Sequence, residues 1–233
     1  MPSVPPEGAG DRAGPHGTDG DVRGEARAPV IFAVVVTMVI PLFVPHSLLP
    51  GPHWIASAVE GVLLVAMLVS DPGRIDRRSG RVRAVRVALV TFLAAVSAWS
   101  TARLITDLIR GGAVTNSAGP LLRGGSLVWL YMVIVFGFVY WELDAGGPGE
   151  RAHGMKRHPD LAFPQQVNPD LGPSGWRPVF VDYLYLGFTG ALAFSPTDVM
   201  PLAHWAKLAM LVESLASLAI LGLVIARAVN VLS

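Results

Sequence analysis

The chain has 233 residues, of which 52% are hydrophobic and only 15% are charged, and its net charge is +1. Soluble domains carry about 25% charged residues, so this composition, with a mean hydropathy of +0.51, excludes an ordinary soluble protein and predicts an integral membrane protein. The absence of Cys excludes disulfides and thiolate chemistry, and the small net charge gives no indication of nucleic-acid binding.

Residues 1–28 contain four Pro and six Gly among mixed charges, without apolar periodicity. Such a segment cannot bury enough surface to offset the entropy of ordering it, which predicts a disordered tail. Four apolar segments follow between residues 29 and 141, each close to the roughly 20 residues that cross a hydrocarbon core. They cover 29–49, 54–70, 85–105 and 126–141.

A polar link over 142–176 comes next, rich in Gly, Pro and charge, and predicts either a surface excursion or partial disorder. The last part, 177–233, holds an apolar segment at 178–195 and a long one at 202–230, separated by a short polar break. The predicted fold is therefore all-α, a polytopic helical membrane protein with five to six transmembrane segments. A polar break at membrane depth must be buried in protein or line water, which makes 177–233 the candidate functional module.

The stretch from Gly187 to Arg227 resembles the pore module of the tetrameric potassium-channel superfamily, in which a pore helix, a filter ending in Gly-Tyr-Gly-Asp and an inner helix follow one another. The matching residues are Phe188 and Thr189 in the pore helix, Asp198 and Pro201 at and after the filter, and Ala206, Lys207, Glu213, Ala226 and Arg227 in the inner helix. Ser195, Pro196 and Thr197 replace Gly-Tyr-Gly. The Phe-Thr…Asp ending is also similar to bacterial multi-pass membrane families without an established function.

The resemblance implies a homo-oligomeric pore in the lipid bilayer that passes a small monovalent or divalent cation. Asp198 would form its mouth, Ser195 and Thr197 its narrow part, and the last helix its lining. Because Pro cannot adopt the backbone angles that Gly permits, Pro196 argues against potassium selectivity by a ring of filter carbonyls. The alternative function is a non-conducting membrane scaffold, in which Asp198 only caps the last helix.

Arg and Lys concentrate on the cytoplasmic side of membrane proteins. The loop after the second segment and the link after the fourth hold most of them, which predicts a cytoplasmic N-terminus. These residues are Arg74, Arg77, Arg78, Arg81, Arg83 and Arg86, then Arg151, Lys156, Arg157 and Arg177. If 178–195 crosses completely, both tails are cytoplasmic. A cytoplasmic re-entrant segment with an external C-terminus is the alternative. The Arg-, Ala-, Gly- and Val-rich composition favours a bacterial inner membrane.

Ionisable residues inside apolar segments are functional candidates because they are costly there. They are Glu60, Arg103, Asp182, Lys207 and Glu213. Glu213 needs a partner from another helix, with Arg103 as one option, and Asp182 suits the first turn of a helix. Gly222 and Ala226, four residues apart, predict close helix packing. His153 and His158 are interpreted as solvated link residues, so no metal site, cofactor or enzymatic constellation is predicted.

Overall fold

The structure is a computed structural model that describes residues 24–70, 75, 79–112, 116–154, 159–192 and 198–232. Within these ranges the chain is mostly helical, which agrees with the predicted fold class. The helices are α1 (Ala28–Phe43), α2 (His53–Ser70), α3 (Gly80–Arg110), α4 (Ala118–Leu143), α5 (Pro148–Ala152), α6 (Pro164–Val167), α7 (Phe180–Ala191) and α8 (His204–Leu232). Two short strands, β1 (Leu161–Ala162) and β2 (Met200–Pro201), pair antiparallel.

Four of these helices, α2, α3, α4 and α8, are long and apolar enough to cross a membrane. This confirms the prediction of a membrane protein. Helix α1 is also apolar but has 16 residues, and α7 has 12. At 1.5 Å per residue, α7 is about 18 Å long, whereas the hydrocarbon core of a bilayer is about 30 Å thick.

Helices α3 and α4 extend beyond their predicted ranges because hydropathy does not detect polar helical turns. Helix α3 starts at Gly80 and ends at Arg110, where Gly111, with a φ of 80°, terminates it. The prediction that placed Arg81, Arg83 and Arg86 in a loop is wrong, since all three lie in the first two turns of α3.

Helix α4 lies at the centre of the bundle. It packs against α1, α3, α7 and α8. Of its apolar 18-residue stretch, 56% is buried, compared with 22% for the corresponding stretches of α2 and α8. The polar side chains that face inward from the other helices therefore meet α4, and it supplies most of their partners.

The two ends of the bundle are defined by side-chain contacts. At the link end, where α4 leads into the link, Arg86 of α3 contacts Glu142 and Arg27, just before α1, donates to the Leu68 carbonyl of α2. At the far end, the Arg123 guanidinium lies over the Phe43 ring and Arg227 lies beside Gly111. Helices α1 and α3 thus run from the link end to the far end, and α2 and α4 run back.

The link is folded where the structure describes it, and it is anchored to the bundle. Buried Asp144 accepts hydrogen bonds from the backbone N–H of Asp160 and Leu161, at 3.2 and 3.0 Å. Buried Arg151 donates to the carbonyls of Trp141 and Asp144, both at 2.8 Å. The alternative of partial disorder does not apply to these residues; Lys156, Arg157 and His158 lie outside the described ranges.

The prediction of a disordered tail over residues 1–28 does not hold for residues 24–28, which the structure describes, and residues 1–23 lie outside the described ranges. Glu25 forms an antiparallel bridge with Ile75, which belongs to the connection between α2 and α3. This bridge places Glu25 at the link end, next to the start of α7.

Candidate functional site

Helix α7 lies antiparallel against α4 through glycines that permit close backbone approach. A Cβ atom at Gly187 would sit 2.9 Å from the Val133 carbonyl oxygen and 3.1 Å from the Gly137 nitrogen. A Cβ at Gly137 would sit 3.1 Å from the Leu184 Cα. Real Cβ contacts do not reach distances as short as 2.9 Å, so the α4–α7 interface requires Gly at position 187.

The start of α7 and the chain segment that follows α7 both lie at the link end. In its first turn, Phe180 packs on Trp141, and Tyr183 donates to the Asp144 carboxylate at 2.6 Å. After α7, β2 pairs with β1, and the Leu202 N–H donates to the Asp160 carbonyl at 2.9 Å. Helix α8 then leaves from the same end and reaches the far end at Arg227.

The C-terminal end of α7 lies inside the bundle, where its last carbonyls need donors that water would supply elsewhere. Two hydroxyls of α8 provide them. Ser214 donates to the Gly190 carbonyl at 3.1 Å, and Ser217 donates to the Ala191 carbonyl. The Trp129 indole donates in turn to the Ser217 hydroxyl at 2.7 Å, which orients that hydroxyl toward α7.

Glu213 lies beside this helix end and is fully buried. Its Oε2 accepts a hydrogen bond from Tyr140 of α4 at 2.6 Å, and the Cβ position of Gly190 is 2.8 Å from the same oxygen. Its Oε1 has no hydrogen-bond partner among the described residues. The C-terminal end of a helix carries a partial negative charge, so Glu213 places a carboxyl group beside a helix end of negative partial charge.

A second buried carboxyl lies on another face of α4. Glu60 of α2 is fully buried and accepts a hydrogen bond from Tyr131 at 2.9 Å. Its other oxygen, Oε2, has no hydrogen-bond partner among the described residues. The sequence identified Glu60 and Glu213 as intramembrane carboxyls, but it did not identify their tyrosine partners, which are 71 and 73 residues away in the chain.

Charged side chains at the link end hold the start of α7. The Trp141 indole donates to the Glu25 carboxylate at 2.8 Å, and the Phe180 N–H donates to its other oxygen. Burial raises the pKa of Glu25, although these two hydrogen bonds and the charge of Arg151 oppose the rise. Asp182 accepts from the Val179 N–H at 2.8 Å and so stabilises the first turn of α7, as predicted.

Several residues do not have the partners or positions that the sequence suggested for them. Arg103 donates to the Ser47 carbonyl and pairs with Asp107, so it is not the partner of Glu213. Lys207 is exposed on α8. Ser195, Pro196 and Thr197 lie outside the described residues. Asp198 is exposed, and α8 begins six residues later at His204, so the interpretation of Asp198 as the cap of α8 is wrong.

Gly222 and Ala226 do not mediate helix packing within the chain. Both are exposed on α8, and a Cβ at Gly222 would meet no described atom within 4 Å. The described helical glycines whose Cβ position lies within 3.1 Å of another helix are Gly61, Gly125, Gly137, Gly187 and Gly190. No protein family, curated protein or solved structure matches the chain. Evidence for a function therefore comes from the geometry of the described residues, above all Glu213, Glu60 and their partners.

Proposed function

We propose that residues 178–203 form a re-entrant segment that enters and leaves the membrane at the link end. Helix α7 is too short to cross, and both of its flanks contact the link and the end of α4. The chain then crosses five times, through α1 to α4 and α8. This replaces the six crossings that the length of the apolar segment at 178–195 suggested.

The distribution of basic residues orients this arrangement. In the sequence, the stretch before α1, the connection from α2 into the first turns of α3 and the link contain Arg27, Arg74, Arg77, Arg78, Arg81, Arg83, Arg86, Arg151, Lys156, Arg157 and Arg177, whereas the far end holds Arg103, Arg110, Arg123 and Arg227. The positive-inside rule therefore makes the link end cytoplasmic. The re-entrant segment then opens toward the cytoplasm, together with Asp198, and the C-terminus lies outside.

Single Cys residues test this topology without interference, because the native chain has none. In intact cells, Cys at Ser79 and Asp170 will be shielded from an impermeant thiol reagent, and Cys at Ser117 and Ser233 will be labelled. Permeabilised cells, in which all four positions should react, provide the control. Shielding of Ser233 together with Ser79 would restore the six-crossing arrangement.

We further propose that the protein moves a small cation across the membrane at the contact between α7 and α8. The observation that supports this most directly is the position of Glu213, fully buried beside the end of a helix that stops inside the bundle. Interrupted helices and intramembrane carboxyls together form the ion sites of many transport proteins. Glu213 is the binding group in this proposal, and Tyr140 and Ser214 fix its surroundings.

A homo-oligomer forms part of the proposal as well. Gly222 and Ala226 lie on the outer surface of α8, where a second copy could approach closely. The remainder of that surface is apolar and includes Leu215, Leu218 and Ile225, which are exposed. A neighbouring α8 or lipid covers these side chains in the membrane.

Flux into proteoliposomes tests the cation proposal. Wild-type protein should move protons, sodium or potassium down an imposed gradient, and Glu213→Gln should reduce this flux to that of protein-free vesicles, because it removes the charge and nearly preserves the shape. Asp170→Asn, in the exposed part of the link, is the matched control and should conduct as wild type. Absence of flux of all three ions from folded wild-type protein would leave the scaffold alternative.

A further inference from the structure

We infer that the translocated cation is the proton and that Glu60 is a second proton-binding group; this rests on the proposed translocation at Glu213. The inference follows from the chemistry of the two carboxyl–tyrosine pairs, Glu213 with Tyr140 and Glu60 with Tyr131. Each pair joins one buried carboxyl to one buried hydroxyl on the central helix α4.

The Glu213 site offers too few oxygen ligands for a metal cation. Divalent cations take six or more oxygen ligands in proteins, and no cluster of three His, Cys, Asp or Glu occurs in the ranges that the structure describes. The Gly190 and Ala191 carbonyls already accept hydrogen bonds from Ser214 and Ser217, and the Ser217 oxygen itself accepts from the Trp129 indole. The carboxyl also packs directly on Gly190, with 2.8 Å between its Oε2 and the Cβ position. A proton needs one carboxyl oxygen and almost no volume.

The Glu60 site has the same chemistry as the Glu213 site. One oxygen of Glu60 accepts from Tyr131, and the other, Oε2, has no hydrogen-bond partner among the described residues. The nearest equivalent at the other site is Glu213 Oε1, which is also without a partner in the described part of the chain. In each pair the tyrosine therefore fixes one carboxyl oxygen and leaves the other to carry the exchangeable proton.

Among the described residues, neither carboxyl forms an ion pair: the pairs there are Arg86 with Glu142 and Arg103 with Asp107. The titratable partner of Glu213 is the Tyr140 hydroxyl, and that of Glu60 is the Tyr131 hydroxyl. A buried carboxylate without a cation is far more costly than the neutral acid. The two groups therefore reside in the membrane as neutral acids, and each becomes charged only while it passes its proton on.

The two pairs lie at different depths of the bundle. Tyr131 and Tyr140 are nine residues apart on α4, which corresponds to about 14 Å along the helix and opposite faces. Neutral Glu60 first releases its proton toward the far end, the resulting carboxylate takes the proton of Glu213, and the Glu213 carboxylate is then reprotonated from the link end. Each carboxyl returns to its starting state, so no other reactant is consumed.

Proteoliposomes with an entrapped pH-sensitive dye and an imposed pH gradient test this assignment, alongside tracer uptake of sodium and potassium. Wild-type protein should move protons and neither metal ion. Glu60→Gln should abolish proton movement, and Tyr131→Phe should slow it because the carboxyl loses its donor. Tyr185→Phe, at an exposed position of α7, is the matched control and should be indistinguishable from wild type.

Infrared spectroscopy of the reconstituted protein tests Glu60 independently of transport. A buried carboxylic acid absorbs separately from carboxylates, and at neutral pH this signal should lose one contribution in Glu60→Gln and another in Glu213→Gln. An unchanged signal in Glu60→Gln would overturn the inference. Sodium or potassium flux that Glu60→Gln leaves intact would overturn it as well, but would support cation translocation. Absence of any ion flux would instead refute the proposed function on which it rests.

Discussion

Arg86→Met should lower the free energy of unfolding by about 3–5 kcal/mol, because removing one partner of a buried ion pair leaves the other charge uncompensated. The Arg86 Nε lies 3.1 Å from the Glu142 carboxylate, and the two side chains are only 3% and 1% exposed. Equilibrium unfolding in mixed detergent micelles measures the effect.

Two controls distinguish the effect of the buried charge from a general effect of substitutions in α3 on stability. Arg103→Met removes a cation from the pair with Asp107, in which the Arg103 side chain is 44% exposed, and should cost at most about 1 kcal/mol. The double variant Arg86→Met, Glu142→Met should recover most of the lost stability, since apolar replacement of a whole buried pair is often neutral. A double variant as unstable as Arg86→Met alone would contradict this explanation.

Gly187→Ala should destabilise the protein by about 1–3 kcal/mol, the usual cost of overpacking. The new Cβ would lie 2.9 Å from a backbone oxygen of α4. Because backbone cannot swing aside as a side chain can, α7 must move away from α4. The same unfolding measurement applies, and ion flux should fall because α7 moves away together with the end that lies beside Glu213.

Gly222→Ala is the matched substitution, as it adds the same methyl group to an apolar helix where no described atom lies within 4 Å. It should leave the stability of the single chain unchanged or slightly higher, since Ala is the better helix former. If Gly187→Ala were as harmless as Gly222→Ala, the close contact between α4 and α7 would not exist in the membrane.

The sequence was sufficient to predict the helical membrane fold and the two buried carboxyls, because both depend on local composition. A long apolar run is visible in the sequence, and so is a single Glu within it. The partners of Glu60 and Glu213 were not predictable, since helical periodicity gives the direction of a side chain on its own helix but not which helix lies opposite. Arg103 was as reasonable a partner for Glu213 as Tyr140.

The end of α7 was not predictable for a similar reason. An apolar run of 18 residues at 178–195 is compatible with a crossing, but run length does not show that the helix ends at Ala191 or that β2 returns to the link. Gly222 and Ala226 have the four-residue spacing that is typical of close helix packing, but they face outward. Gly187 and Gly190 are only three residues apart, yet they pack against α4 and α8. Only the tertiary arrangement distinguishes a glycine that faces a helix from one that faces outward.

The hydrogen bond between Glu25 and the first N–H of α7 has a consequence for the order of assembly during synthesis. Phe180 follows Glu25 by 155 residues, so helices α1 to α4 leave the ribosome long before α7 exists. Trp141 can occupy one oxygen of Glu25 as soon as α4 is in place, but the other oxygen must await Phe180. We therefore expect α7 to dock last, onto a surface of α4 that already exists, and nascent chains that end before Phe180 should leave one oxygen of Glu25 without its partner.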